Sequence, residues 1–210
     1  SEINSTTKII FLCSPNNPTG ALVNLEDVKT ICENFTGIVV VDEAYIEFAS
    51  KPSLVKEISK IENLVVLRTF SKAWGLAGIR VGYAVAQEVV IEYLNKIKLP
   101  YNLNRISSGL TIEALKNYQK MLEFRKIILK ERKKLANSLA NLGFKVFPSE
   151  ANFLLVKYPN TSDIVKKLAV DYEIIIRDFN SKPLLKDCVR ISVGSPEQND
   201  LLIKSLTKIL

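Results

Sequence analysis

The chain has 210 residues, of which 47% are hydrophobic and 24% charged, and its formal net charge is +7. No apolar run is long enough for a membrane helix, and the N-terminal segment lacks the basic and then apolar pattern of a secretory signal. Histidine is absent, which excludes serine–histidine and cysteine–histidine catalysis and histidine-ligated metal sites. The three cysteines form no CxxC pair, so we expect no disulfide framework, no metal site and a reducing, cytoplasmic compartment.

Part of the basic excess lies in one stretch, residues 125–134. This stretch is either a solvated helix face or a nucleic-acid-binding surface. No aromatic residue is interleaved with its charges and it matches no nucleic-acid-binding motif, so we favour the helix face. We therefore expect neither nucleic acid nor a membrane as a partner.

The first hundred residues alternate short apolar runs with helical patterns. Residues 38–41 are β-branched with no polar alternation, which is typical of a parallel strand covered on both faces. The predicted strands are residues 8–13, 38–41, 64–70 and 80–86, and the predicted helices are residues 25–35 and 88–98. This alternation predicts an α/β fold with a mostly parallel sheet and flanking helices.

The pattern changes after residue 100. Apolar residues recur at helical spacing from residue 106 to 141, with a break expected at residues 117–120, and Gly143 is the expected C-cap. The later predicted strands are residues 144–147, 152–157, 174–177 and 188–193, and the later helices are residues 162–172 and 196–210. We interpret residues 1–100 as part of a larger α/β domain, residues 101–142 as connecting helices and residues 143–210 as a small α+β domain.

A loop with the sequence SPNNPTG, residues 14–20, follows the first predicted strand. Two prolines, two asparagines and a glycine form turns without any function, and that alternative stays open. Ligands of α/β sheets bind at the carboxyl ends of the strands, so the side-chain amide of Asn17 is well placed to bond a ligand oxygen.

Asp42 directly follows the apolar run at residues 38–41. Burying an unpaired carboxylate is costly, so an acid at this position needs a partner. The alternatives are a helix cap, a salt bridge, or a carboxylate that faces the protonated ring nitrogen of a ligand. Tyr45 would point the same way if a helical turn follows the strand.

Lys72 is the sharpest functional signal in the chain, because it follows a predicted strand and is flanked by hydroxyls and glycines. Lysine amines form imines with aldehydes. The hydroxyls of Thr69 and Ser71 and the guanidinium of Arg80 together suit a phosphate group. This cluster therefore combines a lysine able to form an imine with groups that suit a phosphate.

Arg177 and Arg190 each lie beside an apolar run, IIIR and CVRISVG. An arginine next to a strand core is costly unless it meets an anion. The pair forms either two structural ion pairs or a clamp for an anionic substrate.

Taken in order, these clusters resemble the motifs of the pyridoxal-phosphate aminotransferases of the aspartate-aminotransferase superfamily. The motifs are NPTG at residues 17–20, D-x-x-Y at 42–45, S-K at 71–72 with G-x-x-x-x-R-x-G at 75–82, and R-x-S-x-G at 190–194. The segments VVVDEAYIEF, RTFSKAWGLAGIRVGY, PSEANFLLV, IIIRDF and VRISVGSPEQN are similar to histidinol-phosphate aminotransferases in particular. The resemblance implies the C-terminal part of the large cofactor-binding domain, followed by the small domain.

The resemblance implies a role for each residue around the cofactor ring. Lys72 would hold pyridoxal phosphate covalently and act as the catalytic base. Asp42 would keep the pyridine nitrogen protonated. Tyr45 and Asn17 would bond the ring oxygen O3′, and Asn17 would also contact the substrate.

The same resemblance assigns the anionic groups. Thr69, Ser71 and Arg80 would bind the cofactor phosphate. Arg177 and Arg190 would grip the phosphate of histidinol phosphate, and Arg190 would also take the carboxylate of glutamate. The implied reaction transfers the amino group of L-histidinol phosphate to 2-oxoglutarate by a ping-pong route in histidine biosynthesis.

Members of this family are longer and form homodimers, and the part absent here is N-terminal. We therefore expect the chain alone to bind its cofactor weakly or not at all, with poor activity, and its sheet edges to favour association. Two alternatives within the superfamily are a threonine-phosphate decarboxylase and another class I aminotransferase. An alternative of a different class is a non-catalytic fragment that binds no cofactor.

Overall fold

The computed structural model describes residues 3–210, which form two compact units. The first unit takes the chain up to Asn16 and from Leu22 to Leu122, and the second takes Asn17–Ala21 and Glu123–Leu210. The loop residues 17–21 are thus grouped with the C-terminal part of the chain. No helix in the described residues is both long enough and apolar enough to span a bilayer.

The first unit is built on a four-stranded sheet with the order β1-β2-β3-β4. Its strands are β1 (Ile9–Cys13), β2 (Ile38–Asp42), β3 (Leu64–Thr69) and β4 (Gly82–Val85). β1, β2 and β3 run parallel, and β4 pairs antiparallel with β3. The predicted α/β fold with a mostly parallel sheet is confirmed.

Three helices belong wholly to the first unit: α1 (Leu25–Asn34), α2 (Glu88–Ile97) and α3 (Arg105–Lys116). The core lies around the two central strands, where Val39, Val41, Leu64 and Val66 are fully buried, and Val28 of α1 packs against them. The apolar run of β2 without polar alternation therefore reflects burial on both faces, as predicted.

The second unit has its own four-stranded sheet, with the order β5-β6-β8-β7, in which every pairing is antiparallel. The strands are β5 (Lys145–Val146), β6 (Phe153–Lys157), β7 (Arg177–Asp178) and β8 (Cys188–Ser192). The helices are α4 (Tyr118–Asn141), within which the boundary between the units falls, α5 (Thr161–Tyr172) and α6 (Pro196–Ile209). Its core includes Leu139, Val156, Leu168 and Leu206, all fully buried.

The predicted break in the long helical pattern is confirmed, because α3 ends at Lys116 and α4 begins at Tyr118. The side chain of Asn117 donates a hydrogen bond to the Glu113 carbonyl, 2.9 Å away. Such a side-chain bond competes with the helical backbone ladder. Gly143 follows α4 with a φ of 88°, the left-handed conformation expected of a helix C-cap.

The strand predicted at residues 174–177 is wrong, since only Arg177 of that range lies in β7. Glu173 has a left-handed φ of 56° after α5, and the Ile174 amide donates to the Leu168 carbonyl at 2.9 Å. Ile174 and Ile176 pack against the core as part of this turn. The apolar run at residues 174–176 therefore reflects packing against the core rather than pairing in a sheet.

Candidate active site

The carboxyl ends of the parallel strands β2 and β3 gather the predicted site residues of the first unit. Asp42 is the last residue of β2 and Thr69 the last residue of β3. Because the two strands are neighbours and run parallel, both residues lie at the same edge of the sheet. This is the edge at which open α/β sheets bind ligands.

Asp42 is half-buried, and its Oδ1 accepts a hydrogen bond from the Ala44 amide at 3.0 Å. This bond from Asp42 Oδ1 fixes the turn after β2. In the described residues, Asp42 Oδ2 remains available to accept a bond from a further donor. The carboxylate thus combines a fixed orientation with one open acceptor.

Tyr45 is buried and caps a short 3-10 helix, Ile46–Phe48, which supplies the helical turn anticipated after β2. Lys72 is exposed, and its Nζ lies 5.2 Å from the centroid of the Tyr45 ring. The structure therefore brings these two predicted residues together, with the amine over the face of the aromatic ring.

Thr69 and Ser71 place two hydroxyls side by side just beyond β3. Their oxygens lie 2.9 Å apart, and the Ser71 amide donates to Thr69 Oγ1 at 3.0 Å. Arg80 is exposed, has a left-handed φ of 58°, and donates from Nη1 to the Ala77 carbonyl at 2.9 Å rather than to either hydroxyl. The hydroxyl pair is assembled, whereas the Arg80 guanidinium is engaged elsewhere.

Gly82, the last residue of the G-x-x-x-x-R-x-G motif, begins β4 and faces Thr69 across the ladder. A Cβ at Gly82 would lie 2.8 Å from the Arg68 carbonyl oxygen, closer than real Cβ atoms approach. This glycine is therefore required for β4 to pair closely with β3 beside the hydroxyl pair.

The loop at residues 17–20 is fixed by contacts within the second unit. Gly20 has a φ of 75°, and a Cβ on it would collide with Ser149. The Glu150 amide donates to the Gly20 carbonyl at 2.8 Å. The exposed Asn17 accepts a bond from Arg190 Nη1 at 2.6 Å through its Oδ1.

Arg177 and Arg190 lie directly opposite each other on β7 and β8. Residues opposite each other on an antiparallel pair project from the same face, and like charges so placed repel. The Arg190 guanidinium stacks 5.1 Å above the Phe153 ring, and its Nε is buried without a hydrogen-bond partner in the described residues. The pair is therefore a candidate site for an anion, and the clamp stays a prediction.

Sequence analysis missed a buried charged cluster next to Asp42. Arg68 Nη2 donates to Glu47 Oε1 at 2.7 Å, and Arg68 Nη1 lies 3.7 Å from Glu43 Oε2. Burial raises the pKa of the Glu43 carboxyl, although hydrogen bonds from Ser53 and the Leu54 amide act to lower it. The signal in the sequence was an arginine at the end of an otherwise apolar strand, LVVLRT.

Comparisons with known proteins agree with these features. The family model for aminotransferase class I and II matches residues 1–206. The histidinol-phosphate aminotransferase of Caldanaerobacter subterraneus subsp. tengcongensis is 47% identical over 204 residues, and the match covers 97% of this chain and 57% of that protein. The chain therefore spans little more than half the length of this relative.

Solved structures are also similar. The histidinol-phosphate aminotransferase from Sinorhizobium meliloti in complex with pyridoxal-5'-phosphate has a TM-score of 0.85 and 29% identity, over 96% of this chain and 58% of that one. The L-threonine-O-3-phosphate decarboxylase from Porphyromonas gingivalis has a TM-score of 0.84 and 27% identity, over 99% of this chain and 66% of that one. Because the family model covers nearly the whole sequence, the chain belongs to the aminotransferase class I and II family.

Proposed function

We propose that this chain is part of a pyridoxal-phosphate-dependent aminotransferase that transfers the amino group of L-histidinol phosphate to 2-oxoglutarate, in histidine biosynthesis. The products are imidazole-acetol phosphate and glutamate. The observation that carries the choice of substrate is the pair of arginines directly opposite each other on β7 and β8. The names of the similar aminotransferases support the same choice.

The residues at the edge of the first sheet fit pyridoxal phosphate. This cofactor needs an amine for its aldehyde, an acid for its ring nitrogen and donors for its phosphate. Lys72 offers an exposed amine, Asp42 a carboxylate with one open oxygen, and Thr69 and Ser71 a pair of adjacent hydroxyls. All four lie at or just beyond the carboxyl ends of β2 and β3.

When bound, pyridoxal phosphate supplies an aldehyde and an electron-withdrawing ring that together weaken the Cα–H bond of an amino substrate. The Lys72 amine would hold the aldehyde and, once released by the substrate amine, would accept the proton from the substrate Cα. The Asp42 carboxylate keeps a proton on the pyridine nitrogen. The Tyr45 hydroxyl donates to O3′, and Asn17 donates through Nδ2, because its Oδ1 already accepts from Arg190.

The hydroxyl pair and the arginines bind the anionic groups of the cofactor and of the substrates. Thr69 and Ser71 donate to the cofactor phosphate, and Arg80 joins them only if its guanidinium leaves the Ala77 carbonyl. Arg177 and Arg190 bind the substrate phosphate between them, which neutralises two facing positive charges. Arg190 also takes the carboxylate of 2-oxoglutarate or glutamate in the second half of the exchange.

Decarboxylation of a threonine phosphate is the second candidate function. The structure of the L-threonine-O-3-phosphate decarboxylase from Porphyromonas gingivalis favours it, because that structure is similar to this chain over 99% of the chain's length. Both substrates bear a phosphate, so the two arginines suit either of them. Assays of amino transfer from histidinol phosphate and of carbon dioxide release from threonine phosphate separate the candidates. The whole enzyme is proposed to act as a homodimer on small-molecule substrates.

The cofactor assignment is tested by titrating the chain with pyridoxal phosphate and following the visible absorbance of the bound form. The wild type is expected to gain a saturable band that Lys72→Ala lacks. Lys96→Ala is the matched control, because the Lys96 amine also lies over a tyrosine ring, 4.6 Å from the Tyr93 centroid. Absence of the band in the wild type would favour the non-catalytic alternative for this chain.

A further inference from the structure

Arg68 is the centre of a charged cluster that is almost closed to solvent. Its side chain is 16% exposed, and the side chains of Glu43 and Glu47 are 1% and 9% exposed. Arg68 Nη2 donates to Glu47 Oε1 at 2.7 Å, and Nη1 donates to Ser53 Oγ at 3.3 Å and lies 3.7 Å from Glu43 Oε2. One guanidinium therefore reaches both carboxylates.

Glu43 is held from two further directions. Its carboxylate accepts from Ser53 Oγ at 2.5 Å and from the Leu54 amide at 2.7 Å. Its own amide donates to the Leu67 carbonyl on β3 at 2.9 Å. The residue that follows Asp42 is thus anchored to β3 by its backbone and to the loop at residues 53–54 by its side chain.

The two carboxylates bracket the turn that carries Tyr45. Between Glu43 and Glu47 the chain is tied by a bond from the Ile46 amide to the Glu43 carbonyl, at 3.2 Å, and continues into a 3-10 helix of three residues. Short 3-10 helices have poor hydrogen-bond geometry and little stability of their own. Side-chain contacts on both sides are therefore needed to fix this turn.

Burying three charged side chains in this way costs desolvation free energy. Buried ion pairs lose much of their attraction to desolvation, and apolar residues of similar volume often stabilise a fold as well or better. The hydrogen bonds among these side chains tie the cluster to one geometry, although Arg68 Nε is buried without a hydrogen-bond partner in residues 3–210. Here that geometry belongs to Asp42 and Tyr45, which precede and follow Glu43 in the chain, and to Thr69, the next residue after Arg68.

We propose that Arg68 is a positioning residue, which grips Glu43 and Glu47 and thereby holds Asp42 and Tyr45 in place for the cofactor. Lysine at this position would keep the charge but has no planar fork with which to reach two carboxylates at once. The proposal rests on the proposed function, because the residues that Arg68 would position belong to the site proposed to bind pyridoxal phosphate.

The test compares the wild-type chain with Arg68→Lys and with Arg105→Lys, a matched change at an exposed arginine that begins α3. Each protein is incubated with increasing pyridoxal phosphate and reduced with borohydride, and the modified Lys72 peptide is quantified by mass spectrometry. We expect Arg68→Lys to raise the half-saturating concentration about tenfold, through loss of one charged hydrogen bond in a buried site. Arg105→Lys is expected to match the wild type.

Amide hydrogen exchange separates positioning from general loss of structure. Arg68→Lys is expected to speed exchange at residues 43–49 and to leave the core of β2, residues 39–41, unchanged. Faster exchange throughout the sheet would show a merely structural role and would overturn the proposal. Equal half-saturation in the wild type and Arg68→Lys would overturn it as well. If the wild-type Lys72 peptide is never modified, the non-catalytic alternative is favoured for this chain, and the positioning role is overturned together with the cofactor assignment.

Discussion

At the scale of single residues, the placement of Arg177 opposite Arg190 is the feature that most favours a bound anion. The two residues lie directly opposite each other on β7 and β8, and Arg190 Nε is buried without a hydrogen-bond partner in residues 3–210. Phe153 supports one guanidinium by stacking, but it supplies no negative charge. Like charges placed opposite each other repel, so we propose that the pair binds an anion.

The anion clamp predicts a specific effect of Arg177→Gln. Loss of a charged hydrogen bond to phosphate is expected to weaken binding of inorganic phosphate by about tenfold or more. The unfolding free energy should stay the same or rise slightly, because one of two facing charges is removed. Phosphate titration by calorimetry and denaturation in urea measure the two effects.

Lys182→Gln is the matched control for this prediction, since it removes the same charge from an exposed position in the loop between β7 and β8. If the two variants lose phosphate affinity equally, the effect is one of net charge and the clamp is refuted.

At the scale of elements, local signals predicted most helices and strands within one or two residues. Helix α6 is the clearest case, because its start is written in the sequence as Ser195, Pro196 and Gln198. The Ser195 hydroxyl accepts from the Gln198 amide, and the Gln198 side chain accepts from the Ser195 amide, which forms a capping box. The misplaced strand at residues 174–177 shows the limit of such signals, since apolar residues pack equally well in a turn.

The capping box predicts that Ser195→Ala weakens α6 by about 1 kcal/mol. Amide exchange within α6 measures this effect. Asn24→Ala is a suitable contrast, because Asn24 caps α1 without any side-chain hydrogen bond, and its removal should change stability by less than about 0.5 kcal/mol. Similar losses in the two variants would show that the box contributes nothing.

At the scale of the whole molecule, many large apolar side chains of the described residues are exposed. β1 lies at the edge of its sheet, with Phe11 69% exposed. Unpaired strand edges with apolar side chains promote association, and charged residues suppress it.

We predict that Phe11→Lys lowers the average mass of the chain in solution at high concentration, as measured by light scattering. Ile175→Lys is the control, because Ile175 is 88% exposed but lies outside the strands. An equal fall in both variants would point to added charge alone, and no fall in Phe11→Lys would rule out association through the edge of β1.

Local sequence patterns predicted most elements, the family and a set of candidate site residues, but they misplaced one strand and missed Arg68. Hydrophobic periodicity indicates which residues are buried, capping residues indicate where helices end, and polar residues after apolar runs indicate where strands end. Each of these signals is local in the sequence. Lys72, Asp42 and Thr69 could be proposed in this way because Asp42 and Thr69 end their strands and Lys72 lies close beyond β3.

Only the tertiary structure decided which of these residues meet. The bond between Asn17 and Arg190 joins residues 173 positions apart, and the pairing of Arg177 with Arg190 depends on the register of two strands. The grip of Arg68 on Glu43 and Glu47 depends equally on how β3 lies beside β2. Such contacts follow from sheet register and loop paths, which are set by the packing of the entire chain rather than by any local pattern.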